Sequence, residues 1–285
     1  MAHFISLNGD LTPATDPVFG PENRAFRYGD GFFETIRVSH GKILWAQQHY
    51  QRLVNSAATL KLTLPQGFSF IIFLQGLQEL YHQNHPNQEA ARLRVAIFRN
   101  HGGHYRPLSQ QASILIESTA LAHQAFELNK KGLMIDVYPD LSKNLNFLSG
   151  IKSSNALIYV LAGIFCSSNG WDDCILLNQE GNIAEATSSN LFIIKDKELI
   201  TPATDQGCVH GMMRSVILDL ASQLRIKARE VILTADDLEQ ADECFLTNTI
   251  QGIRWVGGFR TKRYFNKTGP VFLAALNQKA LQEPS

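Results

Sequence analysis

The chain has 285 residues, 45% of them hydrophobic, with 26 Lys and Arg against 26 Asp and Glu. That is ordinary for a globular protein with real cores, long enough for one large domain or two moderate ones, and the balanced charge argues against a nucleic-acid or polyanion binder. The start, MAHFISLNGD, lacks the basic and apolar regions of a signal peptide, and no apolar run approaches the ~18–20 residues that span a bilayer, so a cytoplasmic protein without a membrane partner is expected.

In chain order, residues 3–7 and 31–38 read as strands, and SHGK (39–42) as a turn leading to a short strand at 43–45. Residues 46–61 read as a helix, because Leu53, Ala57 and Leu60 recur at spacings of three and four. A second helix is expected at 68–83, then strands at 92–99 and 112–118. These make an α+β unit of residues 1–118, and the aperiodic stretch 119–130 is a connector to a larger unit, 131–285. There the pattern predicts a strand at 133–138, a helix at 154–168, apolar strands at 174–177 and 190–194, and a polar turn between those two strands. A strongly amphipathic helix is expected at 211–225, with Val216, Ile217, Leu220, Ala221 and Leu224 on one face. A strand at 230–234, a short acidic helix near 235–240 and a strand at 243–248 follow. Cys166, Cys174, Cys208 and Cys244 form no C-x-x-C pair, so free thiols are expected and no metal site.

Four pieces carry possible chemistry: HYQRL (49–53) with Arg52, the lone Lys152 in LSGIKSSNAL, GNIAEATSSNLF (181–192) with Glu185, and DQGCVHGMMRSV (205–216) with Gly211 opening a helix. Singly each has a plain reading: a solvated arginine or lysine, a hairpin glutamate, a local backbone device at glycine. Together they suit one ligand. A glycine-preceded helix N-terminus presents free N–H groups to a phosphate, an arginine clamps it, a lysine forms an imine, and a carboxylate pairs with a protonated ring nitrogen. Phosphate, aldehyde and pyridine nitrogen are the three handles of pyridoxal 5'-phosphate.

From RYGDGFFETIRV (27–38) through HYQRL, GIKSSN and EATSSNLF to GMMR (211–214) and LTNTIQGIRWV (246–256), the chain resembles the class-IV aminotransferase family, the fold-type IV pyridoxal-phosphate enzymes. The resemblance implies a two-domain α+β fold of the D-amino acid aminotransferase kind: a smaller N-terminal α/β sandwich and a larger, β-barrel-like C-terminal domain with helices. It also implies a homodimer in which a partner loop closes the pocket. Lys152 matches the Schiff-base lysine, Arg52 the phosphate arginine and Glu185 the carboxylate facing the pyridine nitrogen. Val209 matches the apolar residue on the ring. Gly211, Met212, Met213 and Thr249 match the phosphate cup, and Ser188 a nearby cofactor position. Phe33, Arg99 and Asn248 are candidates for the substrate side, the substrate being a small amine or amino acid.

The branches of the family differ in detail. Lys152-Ser-Ser-Asn155 is nearer the K-x-L-N of D-amino acid aminotransferases and lyases than the K-x-x-G-N-Y of branched-chain aminotransferases. Phe33 stands where D-amino acid aminotransferases place tyrosine. GMMR is nearer the G-I-M-R of the lyases than the G-I-T-R of transaminases, and GGHY (102–105) is similar to a loop of the lyases. Gly252 stands where transaminases tend to carry an acidic residue, and is expected to leave room for a ring substrate bearing an enolpyruvyl group. Against this, K-H-L-N-R-L-E is missing and Trp255 replaces an expected proline. The balance favours 4-amino-4-deoxychorismate lyase, which forms p-aminobenzoate and pyruvate for folate; the alternative is an aminotransferase of the D-amino acid or branched-chain type. A cofactor-binding protein without turnover is disfavoured by the presence of both Lys152 and Glu185.

Overall fold

The computed structural model describes residues 3–284 and divides into two compact units. The first runs to Ala125 and includes Ile151–Asn155 and the residues from Gln282 onward. Its elements are β1 (Phe4–Leu7), β2 (Asp10–Pro13), α1 (Arg24–Tyr28), β3 (Gly31–Ser39), β4 (Lys42–Ile43), α2 (Ala46–Thr59), α3 (Phe70–Asn84), β5 (Ala91–Arg99) and β6 (Ala112–Ala120). The strands form one six-stranded sheet, ordered β2-β1-β6-β5-β3-β4.

Helices α2 and α3 cover one face of this sheet. On α2 the buried positions Ala46, His49, Leu53, Ser56 and Ala57 recur every three or four residues. On β3 the alternation sends Phe32, Glu34, Ile36 and Val38 to that same face, and Phe33, Thr35 and Arg37 to the other. Phe32, Ile36, Leu53, Phe73, Leu77, Leu93, Val95 and Ile97 share one apolar core. Fully burying such side chains contributes about 1.5–3 kcal/mol each. One consequence governs the chemistry: Glu34, on the helix-facing side of β3, is a carboxylate inside this core, 1% exposed.

The second unit holds β7 (Leu133–Val137), α4 (Leu157–Asn169), β8 (Asp173–Leu177), β9 (Ile183–Ala186), β10 (Asn190–Lys195), β11 (Glu198–Pro202), α5 (Met212–Gln223), β12 (Ala228–Val231), α6 (Ala235–Gln240), β13 (Glu243–Asn248), β14 (Gly252–Phe259), β15 (Lys262–Arg263) and α7 (Thr268–Gln282), the last reaching the first residue beyond it. Its sheet is a curled half-barrel ordered β12-β11-β10-β13-β14-β7-β8-β9, with β15 on β14. The α+β class and the barrel-like second sheet are those expected.

Several local readings are corrected. The turn at SHGK is shorter than expected, and β4 occupies Lys42–Ile43 rather than 43–45. The segment expected as a polar turn holds β9, whose four residues Ile183–Ala186 are all buried; a strand covered on both faces shows no alternation. The expected strand at 230–234 lies earlier, at Ala228–Val231, parallel to β11. The helix expected from 154 begins only at Leu157, because Ile151–Asn155 is engaged elsewhere: Lys152 C=O accepts from Phe33 N at 3.0 Å and Ser154 N donates to Gly31 C=O at 3.0 Å. Cys166 near the end of α4 stands beside Cys174 on β8, Cα atoms 6.2 Å apart. The helix-to-strand turn folds back on itself and brings together residues only eight apart. Cys208 and Cys244 are free and buried.

Candidate cofactor site

In the first unit, five side chains lie around the start of β3: Lys152 beside the Phe33 ring, and Arg52 and His49 on Glu34. The backbone bridges to β3 hold the Lys152 segment, and Asn155 Nδ2 donates to Gly29 C=O at 3.1 Å. Lys152 Nζ lies 4.5 Å from the centre of the Phe33 ring. Beneath, Arg52 donates from Nε to Glu34 Oε1 at 2.7 Å and from Nη2 to Oε2 at 2.5 Å, a bidentate pair that fixes the guanidinium plane. His49, one turn earlier on α2, bonds through Nδ1 to Glu34 Oε2 at 2.7 Å. Burial alone would raise the Glu34 carboxyl. The Arg52 charge and the hydrogen bonds from His49 and Arg52 outweigh it and hold the group at about 2. Burial pushes the His49 imidazole down, so it is neutral and donates through Nδ1–H.

This cluster makes stability pH-dependent. A buried carboxyl held at about 2 rather than 4.5 contributes about 3 kcal/mol at neutral pH. Because the folded value is the lower one, that contribution is present above pH 4.5 and disappears as the pH falls toward 2. His49, buried neutral, acts in the same direction below 6.5. Denaturant midpoints measured from pH 7 to 3 are therefore expected to fall with pH, and Glu34→Gln to flatten the acid part of that fall; a wild-type profile in the variant would refute the assignment.

Arg99, a candidate for the substrate side, is 7% exposed and tied into its own unit. It donates from Nε to Asp30 Oδ2 at 3.0 Å, from Nη1 to Lys61 C=O at 3.1 Å and to Gln110, and from Nη2 to Leu60 C=O at 2.9 Å. Those bonds strap the end of α2 to β5, a structural task.

In the second unit the centre is Glu185 on β9, 3% exposed. Its Oε1 accepts from Lys143 Nζ and, at 2.8 Å, from the Tyr159 hydroxyl; its Oε2 accepts from Val209 N at 3.0 Å. Burial and the Glu185 charge raise the Tyr159 phenol well above its ordinary range, so Tyr159 stays a donor. Burial and the same charge push the neighbouring Cys208 thiol up to about 11. Val209 C=O accepts from Asn190 Nδ2 at 3.0 Å and from Gly211 N at 2.7 Å. Gly211 is required there, since a Cβ would stand 1.8 Å from Asn190 Oδ1.

Gly211 is also the N-cap of α5 and brings no capping side chain. The first N–H groups of α5, on Met212 and Met213, have no intrahelical acceptor, and they sit at the positive end of a helix of 12 residues. Met212 and Met213 are buried, Thr249 half-buried and Ser188 exposed. Asn248 Nδ2 donates to Ser189 Oγ at 3.1 Å. Thr247 Oγ1 is buried without a partner.

Each unit by itself carries groups of the kinds pyridoxal phosphate takes: the first an amine beside an aromatic face and a fixed guanidinium, the second uncapped helix N–H groups suited to a phosphate and a buried carboxylate suited to a ring nitrogen. The amino-transferase class IV family model matches residues 31–257. The chain belongs to that family. It is a pyridoxal-phosphate-dependent class IV enzyme. The family member is 29% identical over 284 residues to the D-alanine aminotransferase of Listeria monocytogenes, covering 98% of this chain and 95% of the relative. It is 26% identical over 238 residues to the aminodeoxychorismate lyase of Vibrio harveyi, covering 83% and 85%. Its fold superposes with a TM-score of 0.88 on the branched-chain aminotransferase of the archaeon Thermoproteus uzoniensis with norvaline, at 21% identity and covering 99% and 95% of the two chains. Among the described residues of this class IV enzyme, no helix is long and apolar enough to cross a membrane.

Glu34, Lys143 and Tyr159 were not singled out by the sequence, and His49 only as the first residue of an H-x-x-R. His49 stands inside the HYQRL motif, and Glu34 follows Phe33 in FFET, so both were within reach of the strand and helix periodicities. Lys143, in a loop nine residues before Lys152, carries no local signal.

One expectation is overturned. Gly252 has φ +70°, and a Cβ there would lie 2.7 Å from Phe126 Cδ1 and 3.2 Å from Leu276 Cδ2. Phe126 and Leu276 are buried core residues. Gly252 is therefore glycine for its backbone and for the close approach of Phe126, and it opens no room for a ring substrate.

Proposed function

We propose that this class IV enzyme is a 4-amino-4-deoxychorismate lyase, releasing p-aminobenzoate and pyruvate. The observation that carries the reading is the Phe33 ring, 4.5 Å from Lys152 Nζ. It sets an apolar aromatic face, with no hydroxyl, beside the reacting amine, which suits a flat ring substrate that leaves as an aromatic product. The runs GMMR and TNTIQGI support it from the sequence.

In this reading Lys152 holds the cofactor and then removes the proton from the amine-bearing carbon of the substrate. Arg52, oriented by Glu34, and the first N–H groups of α5 with Thr249 bind the phosphate. Glu185 keeps the ring nitrogen protonated, and Val209 lies against the ring. Bound pyridoxal phosphate supplies the electron sink that lets the carbanion form. Asn248 and Phe33 serve the substrate. The working species is a homodimer, the commonest symmetric assembly of soluble proteins.

Purified enzyme assayed with aminodeoxychorismate, beside D- and L-amino acids with 2-oxoglutarate or pyruvate, is expected to form p-aminobenzoate and pyruvate and to transaminate simple amino acids slowly. Light scattering under the same conditions is expected to give twice the chain mass of 31.8 kDa. Efficient amino transfer without p-aminobenzoate replaces the lyase by the aminotransferase, and a monomeric active species removes the dimer.

A further inference from the structure

Lys143 lies outside every motif that marks the cofactor residues, yet its ammonium ends on the same carboxylate. Its backbone is fixed at the end of β8: Lys143 N donates to Leu177 C=O at 2.8 Å, and the residue bridges Asn178. Its Nζ bonds Glu185 Oε1 and lies 5.4 Å from the centre of the Tyr159 ring. The Lys143 and Glu185 side chains are 7% and 5% exposed. An ammonium so deeply buried is costly, and replacing such a pair by apolar side chains is often neutral for stability, so folding alone does not call for it.

We infer that Lys143 is a positioning residue for the contact between Glu185 and the cofactor's ring nitrogen. With Tyr159 it occupies Oε1, which leaves Oε2, bonded to Val209 N, as the oxygen for the ring. A carboxylate oxygen has two lone pairs, so Oε2 serves both. The Lys143 charge also offsets that of Glu185, so the ring sits in a less negative environment than a lone buried carboxylate would create. A less negative environment disfavours every cationic form of the bound cofactor and moves its titrations to lower pH. The inference rests on the role proposed above for Glu185.

The test uses holoenzyme carrying Lys143→Met, Lys143→Arg or Lys143→Gln, titrated through the bound cofactor's visible absorbance. Lys143→Met is expected to raise the pH midpoint of the spectral change by about one unit, the size a neighbouring buried charge commonly has. Lys143→Arg keeps the charge and should stay near wild type. The cofactor's dissociation constant, measured on the same proteins, should change several-fold for methionine and little for arginine. Lys143→Gln removes the charge while keeping a donor, and serves for the same titration where methionine does not fold. A wild-type midpoint in whichever uncharged variant folds overturns the inference. Borohydride mapping separates the two levels: cofactor fixed on Lys152 with an unmoved midpoint rejects the role of Lys143 alone, and cofactor fixed on Lys143 rejects both readings.

Discussion

Lys152→Ala is expected to abolish turnover, and borohydride reduction of the native enzyme is expected to fix the cofactor covalently on Lys152. This lysine is held in place by its own backbone before any substrate arrives. Its carbonyl accepts from Phe33 N, and Ser154 N donates to Gly31 C=O, so a bridge centred on Ser153 pins the chain to β3 on the C-terminal side of Lys152. The amine then stands over an apolar ring rather than in open water. In the proposed function nucleophile and proton-transfer roles both fall on this one group, so no residual path is expected: the loss should exceed the roughly 100- to 10,000-fold typical of removing a single acid–base group. Lys152→Ala should fold normally, since the chain is half-exposed there and the bridges use backbone atoms only. Peptide mapping after reduction checks the assignment; a reduced cofactor on any other lysine would show it to be mistaken.

Glu185→Gln is expected to lower kcat by roughly 100-fold or more, the usual cost of removing an electrostatic element aimed at developing charge. Glutamine keeps the size and can still accept from Lys143 and Tyr159, but it cannot hold a proton on the ring nitrogen. The structure adds a second effect. Lys143 loses the carboxylate that compensates its buried charge, and leaving one member of a buried pair unpaired costs about 3–5 kcal/mol of stability. Turnover and stability should therefore both fall in Glu185→Gln. Glu185→Gln with Lys143→Met should recover much of the stability and none of the turnover. The comparison of kcat per folded enzyme with the denaturant midpoint makes the separation. A single variant with near-normal kcat would show that the carboxylate does not serve the ring.

What the sequence by itself determined lies in the short-range patterns. The helix periodicity of residues 46–61, with Leu53 and Ala57 on the buried face, located α2 to within two residues and placed Arg52 on it. The order of HYQRL, GIKSSN, EATSSNLF and GMMR along the chain indicated the family, and the family brings the cofactor. The short acidic helix expected near 235–240 is Ala235–Gln240, and the Thr234–Asp237 capping box that starts it is local in the chain.

What only the tertiary structure decided depends on residues far apart in sequence. Glu34 and Arg52 are 18 residues apart, and their pairing follows from α2 packing on the β3 face that carries Glu34. Lys143 and Glu185 are 42 apart, and nothing near either predicts that they meet. Arg99 reads as a cation available to a substrate until its bonds to Asp30, Leu60, Lys61 and Gln110 are seen. Gly252 reads as an opening until Phe126, more than a hundred residues earlier, is found against it. In each case composition and period fix which face a side chain takes, since those depend on the residue's own backbone. The partner across that face is set by how sheets and helices stack, and a buried charge or a missing Cβ takes its meaning from that partner.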